Sequence, residues 1–156
     1  ATYHLLSMNE IIIFCAQNLI FIAALIALFH IVFKHERRHH IKHIAIIFGS
    51  SVLAWVVTHF LKDIIAHPRP DLTLALIEPN DPYSFPSGHA TFMFALAWSL
   101  YGFDKKAGKT IFVLAILTGI ARVLVGVHFW YDIVGGFVVG AIVSYVVLFL
   151  TKKIRS

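Results

Sequence analysis

Three clusters in this chain carry side chains suited to handling a phosphate ester. The first, Lys62-Asp-Ile-Ile-Ala-His-Pro-Arg69-Pro70, closes an apolar run; the second, Pro86-Ser87-Gly88-His89, opens another. The third is Arg122, followed by His128 and then Asp132. Lys62, Arg69 and Arg122 supply positive charge, and an arginine fork matches phosphate oxygens. Ser87 and Gly88 precede an apolar helix, whose first N–H groups and dipole can hold an anion. Gly88 leaves out a side chain where that anion must come close. His89 and His128 can divide nucleophile and acid roles. If a helix starts at His128, Asp132 shares its face and can fix the imidazole tautomer. Taken singly, a histidine near a helix end is usually structural, and an interfacial arginine usually snorkels to headgroups. Charges inside apolar spans are costly and functional by default, and all three clusters fall in one order on one face.

The elements that must hold these clusters follow from hydropathy. Of 156 residues, 59% are hydrophobic and 13% charged, against about 45–50% and about 25% in soluble domains. This composition predicts an all-α integral membrane helical bundle, one domain over residues 1–156. Five apolar segments are expected to span: Ile11–Phe33, Ile44–Ala66, Gly88–Phe103, Thr110–Val127 and Tyr131–Leu150, preceded by a short polar N-terminal segment. Ala1 to Glu10 lack a basic start, so no cleavable signal peptide is expected. All five prolines lie between the second and third segments, so the helices are uninterrupted and that stretch is the one long loop.

Ten of the thirteen Lys and Arg residues sit in three polar stretches: Lys34 to Lys42, Lys105 to Lys109, and Lys152 to Arg155. With five spans these stretches share one face, which the positive-inside rule makes cytoplasmic. The three chemical clusters then share the opposite, extracytoplasmic face. The net charge of +5 is accounted for by this topology, and nucleic acid is not expected as a partner. Gly136 and Gly140 are spaced for close helix contact, as are Gly119 and Gly126 on the fourth helix. The lone Cys15 reads as packing. His30 and His59 are expected to make interhelical hydrogen bonds. The His-rich stretch from His35 to His43 reads as a basic loop near headgroups, although His39 and His43 have a metal-ligand spacing. His67 beside the first cluster, Trp130 and Tyr131 beside His128, and Tyr83 and Phe85 in the loop are the neighbours worth locating.

Lys62-x6-Arg69-Pro70, Pro86-Ser87-Gly88-His89 and Arg122-x5-His128-x3-Asp132 together resemble the three-part signature of type 2 phosphatidic acid phosphatases, relatives of the vanadium haloperoxidases. The resemblance covers residues 62 to 132, close to half the chain. It implies that His128 attacks phosphorus to form a phosphohistidine, that Asp132 orients it, and that His89 protonates the leaving oxygen. Lys62, Arg69, Ser87, Gly88 and Arg122 are then the phosphate-binding residues, with no metal and no cofactor. One position departs: Ala121 stands where the family usually has serine, so one phosphate hydrogen bond is expected to be missing. The implied activity is hydrolysis of a membrane lipid phosphate or pyrophosphate in a bacterial plasma membrane. Undecaprenyl pyrophosphate is the expected substrate. The alternatives are a phosphatidylglycerophosphate or lipid A phosphatase, a lipid phosphotransferase, and an inactive membrane scaffold.

Overall fold

The computed structural model describes the backbone of residues 2–34 and 40–152, and side chains from Met8 onward. Five helices follow in order: α1 (Thr2–Lys34), α2 (His40–Ile65), α3 (Gly88–Tyr101), α4 (Lys105–Leu124) and α5 (Trp130–Leu150). The expected N-terminal segment is continuous with α1. Between α2 and α3 the loop holds one 3-10 turn, Leu72–Leu74, capped by the Asp71 carboxylate, which accepts from the Thr73 N–H. Among the described residues the only strand-like feature is an isolated bridge between Pro68 and Tyr83.

Four helices are long and apolar enough to cross a membrane: α1 from Met8, α2, α4 and α5. Their outward faces carry Phe21, Phe29, Val52, Val113, Leu117, Val134, Ile142 and Phe149, all exposed. Such a surface suits lipid. The third expected span differs. Helix α3 has 14 residues, about 21 Å of helix, short of the ~30 Å hydrocarbon core. It is apolar all round because it is enclosed, mainly by α2, α4 and α5. Ala90, Met93, Leu96, Ala97 and Leu100 are fully buried on it.

Polar atoms inside the bundle tie α3 to its neighbours. Thr58 on α2 donates to Thr91 Oγ1 at 2.9 Å, Ser50 on α2 pairs with Ser99, and Ser144 on α5 donates to the Ala95 carbonyl at 3.0 Å. Gly136 and Gly140 meet α3 as their spacing suggested. A Cβ at Gly136 would lie 3.0 Å from the Ser87 carbonyl, and one at Gly140 2.9 Å from Ala95 N. Gly119 likewise receives Ile133. Gly126 departs from expectation: α4 ends at Leu124, and Gly126 turns the chain with φ +82, a left-handed conformation that favours glycine.

The helix ends define two faces. At one, Lys34 donates to Asp104 at 2.5 Å, and His30 lies 3.4 Å from the same carboxylate. Asp104 also caps α4 by accepting from the Ala107 N–H at 2.9 Å. This cap starts α4 at Lys105, earlier than the apolar pattern alone suggested. His43 is buried against the Phe103 ring at this end. Residues 35–39 and the tail from Lys153 lie outside the described residues, as does the His39 half of the possible metal pair. His59 turns out to bond within its own helix, its Nδ1–H donating to the Trp55 carbonyl at 2.9 Å. Cys15 packs beside Ala121, Val125 and Val127.

Candidate active site

The opposite face gathers the three clusters. Helix α2 ends where Ala66 adopts φ 50, placing Lys62 in its last turn, Arg122 in the last turn of α4, and Asp132 in the first turn of α5. Lys62, Ser87, Arg122, His128 and Asp132 are all buried. Lys62, Arg69, Arg122 and His128 all lie within electrostatic reach of His89.

The His128–Asp132 pair forms by a route different from the expected one. Helix α5 starts at Trp130, and His128 precedes it. Asp132 folds back at the helix start, where Oδ2 accepts from the Phe129 N–H at 2.8 Å and meets His128 Nδ1 at 3.1 Å. A carboxylate accepts, so Nδ1 carries the proton and Nε2 keeps its lone pair. The Asp132 backbone carbonyl also accepts from the Ser87 N–H at 3.0 Å, locking the start of α3 to the start of α5. Burial lowers the His128 pKa to about 4; Asp132 raises it and Arg122 and Arg69 lower it. The ring is therefore neutral at physiological pH, the state a nucleophile needs.

A second chain of bonds reaches Asp132 from behind. Tyr131 O–H donates to His67 Nε2 at 3.3 Å. His67 Nδ1–H then faces the Pro68 carbonyl at 2.9 Å and Ser84 Oγ at 3.1 Å. Ser84 Oγ lies 3.0 Å from the Pro68 carbonyl and 3.4 Å from Asp132 Oδ1. Ser84 is fully buried. No pattern in the sequence singles it out, since a serine in a polar loop has no periodicity to mark it. Trp130 is exposed. Phe85 lies against Gly135, whose Cβ would sit 2.6 Å from the ring's Cζ.

The cations fall into two sets. Lys62 donates to Asp81 Oδ1 at 2.8 Å, to Oδ2 at 3.0 Å and to the Tyr83 carbonyl at 2.8 Å. Arg69 donates from Nε to the Asp81 carbonyl at 2.8 Å, from Nη2 to Asp81 Oδ1 at 2.9 Å, and from Nη1 to the Val127 carbonyl at 2.7 Å. Burial pushes the Asp81 carboxyl up, but Lys62 and Arg69 outweigh it and hold the group below its usual range. In contrast, buried Arg122 Nε and Ser87 Oγ have no hydrogen-bond partner among the described residues. Ser87 precedes α3 without capping it through its side chain. The Ser87 hydroxyl and Arg122 Nε are thus buried donors without acceptors among the described residues, beside the first turn of α3, whose N–H groups have no intrahelical partner. A Cβ at Gly88 would have 3.5 Å to its nearest protein neighbour, Trp55 Nε1, so protein packing does not demand glycine there. No group of three His, Cys, Asp or Glu side chains placed to hold a metal occurs among the described residues.

A membrane helix bundle with a buried His–Asp pair beside unsatisfied anion donors defines the class of protein. Residues 43–156 match the PAP2 superfamily, and the chain belongs to it. It is 32% identical over 112 residues to the bacitracin transport permease protein BcrC of Bacillus licheniformis, covering 67% of this chain and 55% of that protein. The chain thus spans about half the length of that relative. It is 25% identical to the undecaprenyl-diphosphatase BcrC of Bacillus subtilis, covering 99% of this chain and 80% of that one. Among solved structures, a transmembrane PAP2 type phosphatidylglycerolphosphate phosphatase from Bacillus subtilis superposes with a TM-score of 0.67 at 28% identity, over 94% of this chain and 78% of the other. With four apolar helices and this transmembrane neighbour, the chain is an integral membrane protein.

Proposed function

We propose that the protein is a membrane lipid phosphate or pyrophosphate phosphatase working through a phosphohistidine, with undecaprenyl pyrophosphate as its preferred substrate. The observation that carries this reading is the unsatisfied Arg122 Nε and Ser87 Oγ, buried in the same site as the 3.1 Å His128–Asp132 pair. A buried cation without an acceptor is costly; a bound phosphoryl group supplies the acceptors. His128 Nε2 attacks phosphorus, and the P–O bond to the leaving oxygen breaks. His89 gives that oxygen a proton. Water then attacks the phosphohistidine, with His89 taking its proton, and inorganic phosphate leaves. Arg122, Ser87, Gly88 and the start of α3 hold the developing charge, assisted by Lys62 and Arg69. Ala121 supplies no hydroxyl, so the site works with one donor fewer. The undecaprenyl-diphosphatase named among the relatives that span nearly this whole chain favours that substrate.

Phosphate release by purified protein tests the reading across undecaprenyl pyrophosphate, phosphatidylglycerophosphate, phosphatidic acid and lipid A. Turnover of undecaprenyl pyrophosphate, unaffected by EDTA, is expected. Phosphate release from none of the four, or EDTA inhibition reversed by a divalent ion, overturns the proposal.

The site faces the extracytoplasmic side, because the described cations Lys34, Lys42, Lys105, Lys106 and Lys109 gather at the other end. An impermeant amine reagent applied to intact cells is expected to spare the exposed Lys106, and to modify it once the membrane is opened. Labelling from outside inverts the orientation.

A further inference from the structure

The two carboxylate oxygens of Asp132 face different partners, and the mechanism above uses only one of them. Oδ2 accepts from the Phe129 N–H at 2.8 Å and meets His128 Nδ1 at 3.1 Å. Oδ1 has a single donor within reach among the described residues, the Ser84 hydroxyl at 3.4 Å. Ser84 and Asp132 are both fully buried, and a buried carboxylate oxygen left without a donor is costly. The hydroxyl has one proton to give. The Pro68 carbonyl is nearer, at 3.0 Å, but it also faces the His67 Nδ1–H at 2.9 Å. The Tyr131 O–H occupies His67 Nε2 at 3.3 Å, which keeps the His67 proton on Nδ1. A hydrogen bond to a charged acceptor is about twice as strong as one to a neutral carbonyl. With His67 serving Pro68, the Ser84 proton therefore goes to the carboxylate. The backbone holds Ser84 in place for this. Its N–H donates to the His67 carbonyl at 2.9 Å, beside the bridge between Pro68 and Tyr83. Further along the same segment, the Ser87 N–H donates to the Asp132 carbonyl at 3.0 Å. One short stretch of loop thus grips Asp132 at its backbone and at its side chain.

Resting on the phosphatase reading, we propose that Ser84 is a positioning residue for the attack by His128, acting through Asp132 and itself set by His67. The reason lies in where the bonds fall. Two donors on one oxygen fix where Oδ2 sits but let the carboxylate plane turn about it. A donor on Oδ1 stops that turn, so the lone pair aimed at His128 Nδ1 keeps its direction. His67, Ser84, Asp132 and His128 then form one line, and only its last member touches phosphorus. In the contrary arrangement Ser84 serves Pro68 alone and merely ties the loop together. Its loss then costs stability and has no dependence on the charge of Asp132.

The test is a cycle of Ser84→Ala, Asp132→Asn and the double variant in the whole chain in detergent. Ser84→Ala is expected to lower kcat for phosphate release about tenfold to thirtyfold, with KM changed less than about threefold. The double variant is expected to fall no more than about threefold below Asp132→Asn alone, because the charged acceptor is already gone. Losses that multiply separate Ser84 from Asp132 and overturn the proposal. So does a kcat in Ser84→Ala within about threefold of wild type. A second readout needs no turnover. In protein carrying isotope-labelled histidine, the His128 Nδ1–H resonance is identified by its loss in His128→Gln. Exchange of that proton with water is expected to be about tenfold faster in Ser84→Ala, with the amide protons of α5 changed less than about threefold. An unchanged rate, or acceleration spread equally over α5, is what a purely structural serine gives, and it overturns the proposal. Ser84→Cys keeps the size and a weaker donor, and serves should the alanine variant not fold. It is expected to fall between wild type and Ser84→Ala, and wild-type values in both readouts overturn the proposal equally. A wild type that releases no phosphate from any lipid removes the hydrolase reading alone, and the exchange comparison still decides the role of Ser84.

Discussion

His128→Gln is expected to reduce phosphate release by about 10⁵–10⁶-fold, the scale of losing a nucleophile from a hydrolytic unit. The imidazole sits where an attacking atom must be held. Its Nδ1 proton is committed to Asp132 at 3.1 Å, which leaves Nε2 as the basic atom. Glutamine offers an amide nitrogen with no usable lone pair and nearly the same reach. Its carbonyl can still accept from donors nearby, so the bundle is expected to fold. The wild-type protein, quenched during turnover with labelled substrate, should carry acid-labile phosphate that His128→Gln lacks. Retention of activity within tenfold of wild type would sink the assignment. The same ring fixes the acid limb of the pH profile. Burial lowers its pKa to about 4. The ring is thus neutral and nucleophilic above that value and loses its lone pair as pH falls through it. A plot of kcat/KM against pH should hold down to the region of pH 4 on this account. A limb near 6.5 would mean that His128 is not buried in the working enzyme.

Much of this site is legible in the sequence, for a physical reason. Charges placed in apolar segments are too costly to be incidental, so Lys62 and Arg122 declared themselves. Asp132 could be paired with His128 because four residues is a short span. The pairing survived even though α5 begins two residues later than a shared helical face required: the carboxylate folds back to the Phe129 N–H. Side chains in the long loop were not legible. Asp81 is 19 residues from Lys62 and 12 from Arg69. No periodicity links residues across an irregular loop, so nothing in the local pattern marks it. A better signal was available: an acidic residue between two cationic motifs that must converge is a candidate partner for them. Ser84 offered no such signal, and its place behind Asp132 comes from the chain path alone.

The helices were read from hydropathy, and their errors share one cause. Hydropathy reports how apolar a segment is, not what covers it. Helix α3 is as apolar as a lipid-facing span but is covered by protein, which is why 14 residues suffice. Its shortness matters to the site, since the first turn of α3 opens beside Ser87 within the bundle. Gly126 was misplaced for a related reason. A glycine at helical spacing from Gly119 fits close packing and a left-handed turn equally well, and only the end of α4 at Leu124 decides between them.

Asp132→Asn is expected to lower kcat by about 10³–10⁴-fold while leaving the fold intact, the scale found when the carboxylate behind a catalytic imidazole loses its charge. Several bonds meet at this residue. The backbone carbonyl accepts from Ser87 N–H and is untouched by the substitution. Oδ2 accepts from Phe129 N–H at 2.8 Å, which the asparagine carbonyl oxygen can still do. The same oxygen faces His128 Nδ1, so that choice keeps the Nδ1 proton in place and turns the amide NH2 toward Ser84 Oγ. The acceptor behind the ring is then neutral instead of charged. The imidazolium-like charge that grows during attack also loses its counterion. Asp132→Ala removes the bond to Phe129 as well, so it should lose both rate and thermal stability, by about 1 kcal/mol for a helix-start contact of this kind. The two variants therefore separate the electrostatic part of Asp132 from its structural part. Thermal midpoints in detergent and kcat on the same preparations make the comparison. If Asp132→Asn turns over within tenfold of wild type, the charge of Asp132 does not support the attacking imidazole, and the positive charge that grows on His128 must be offset by another group.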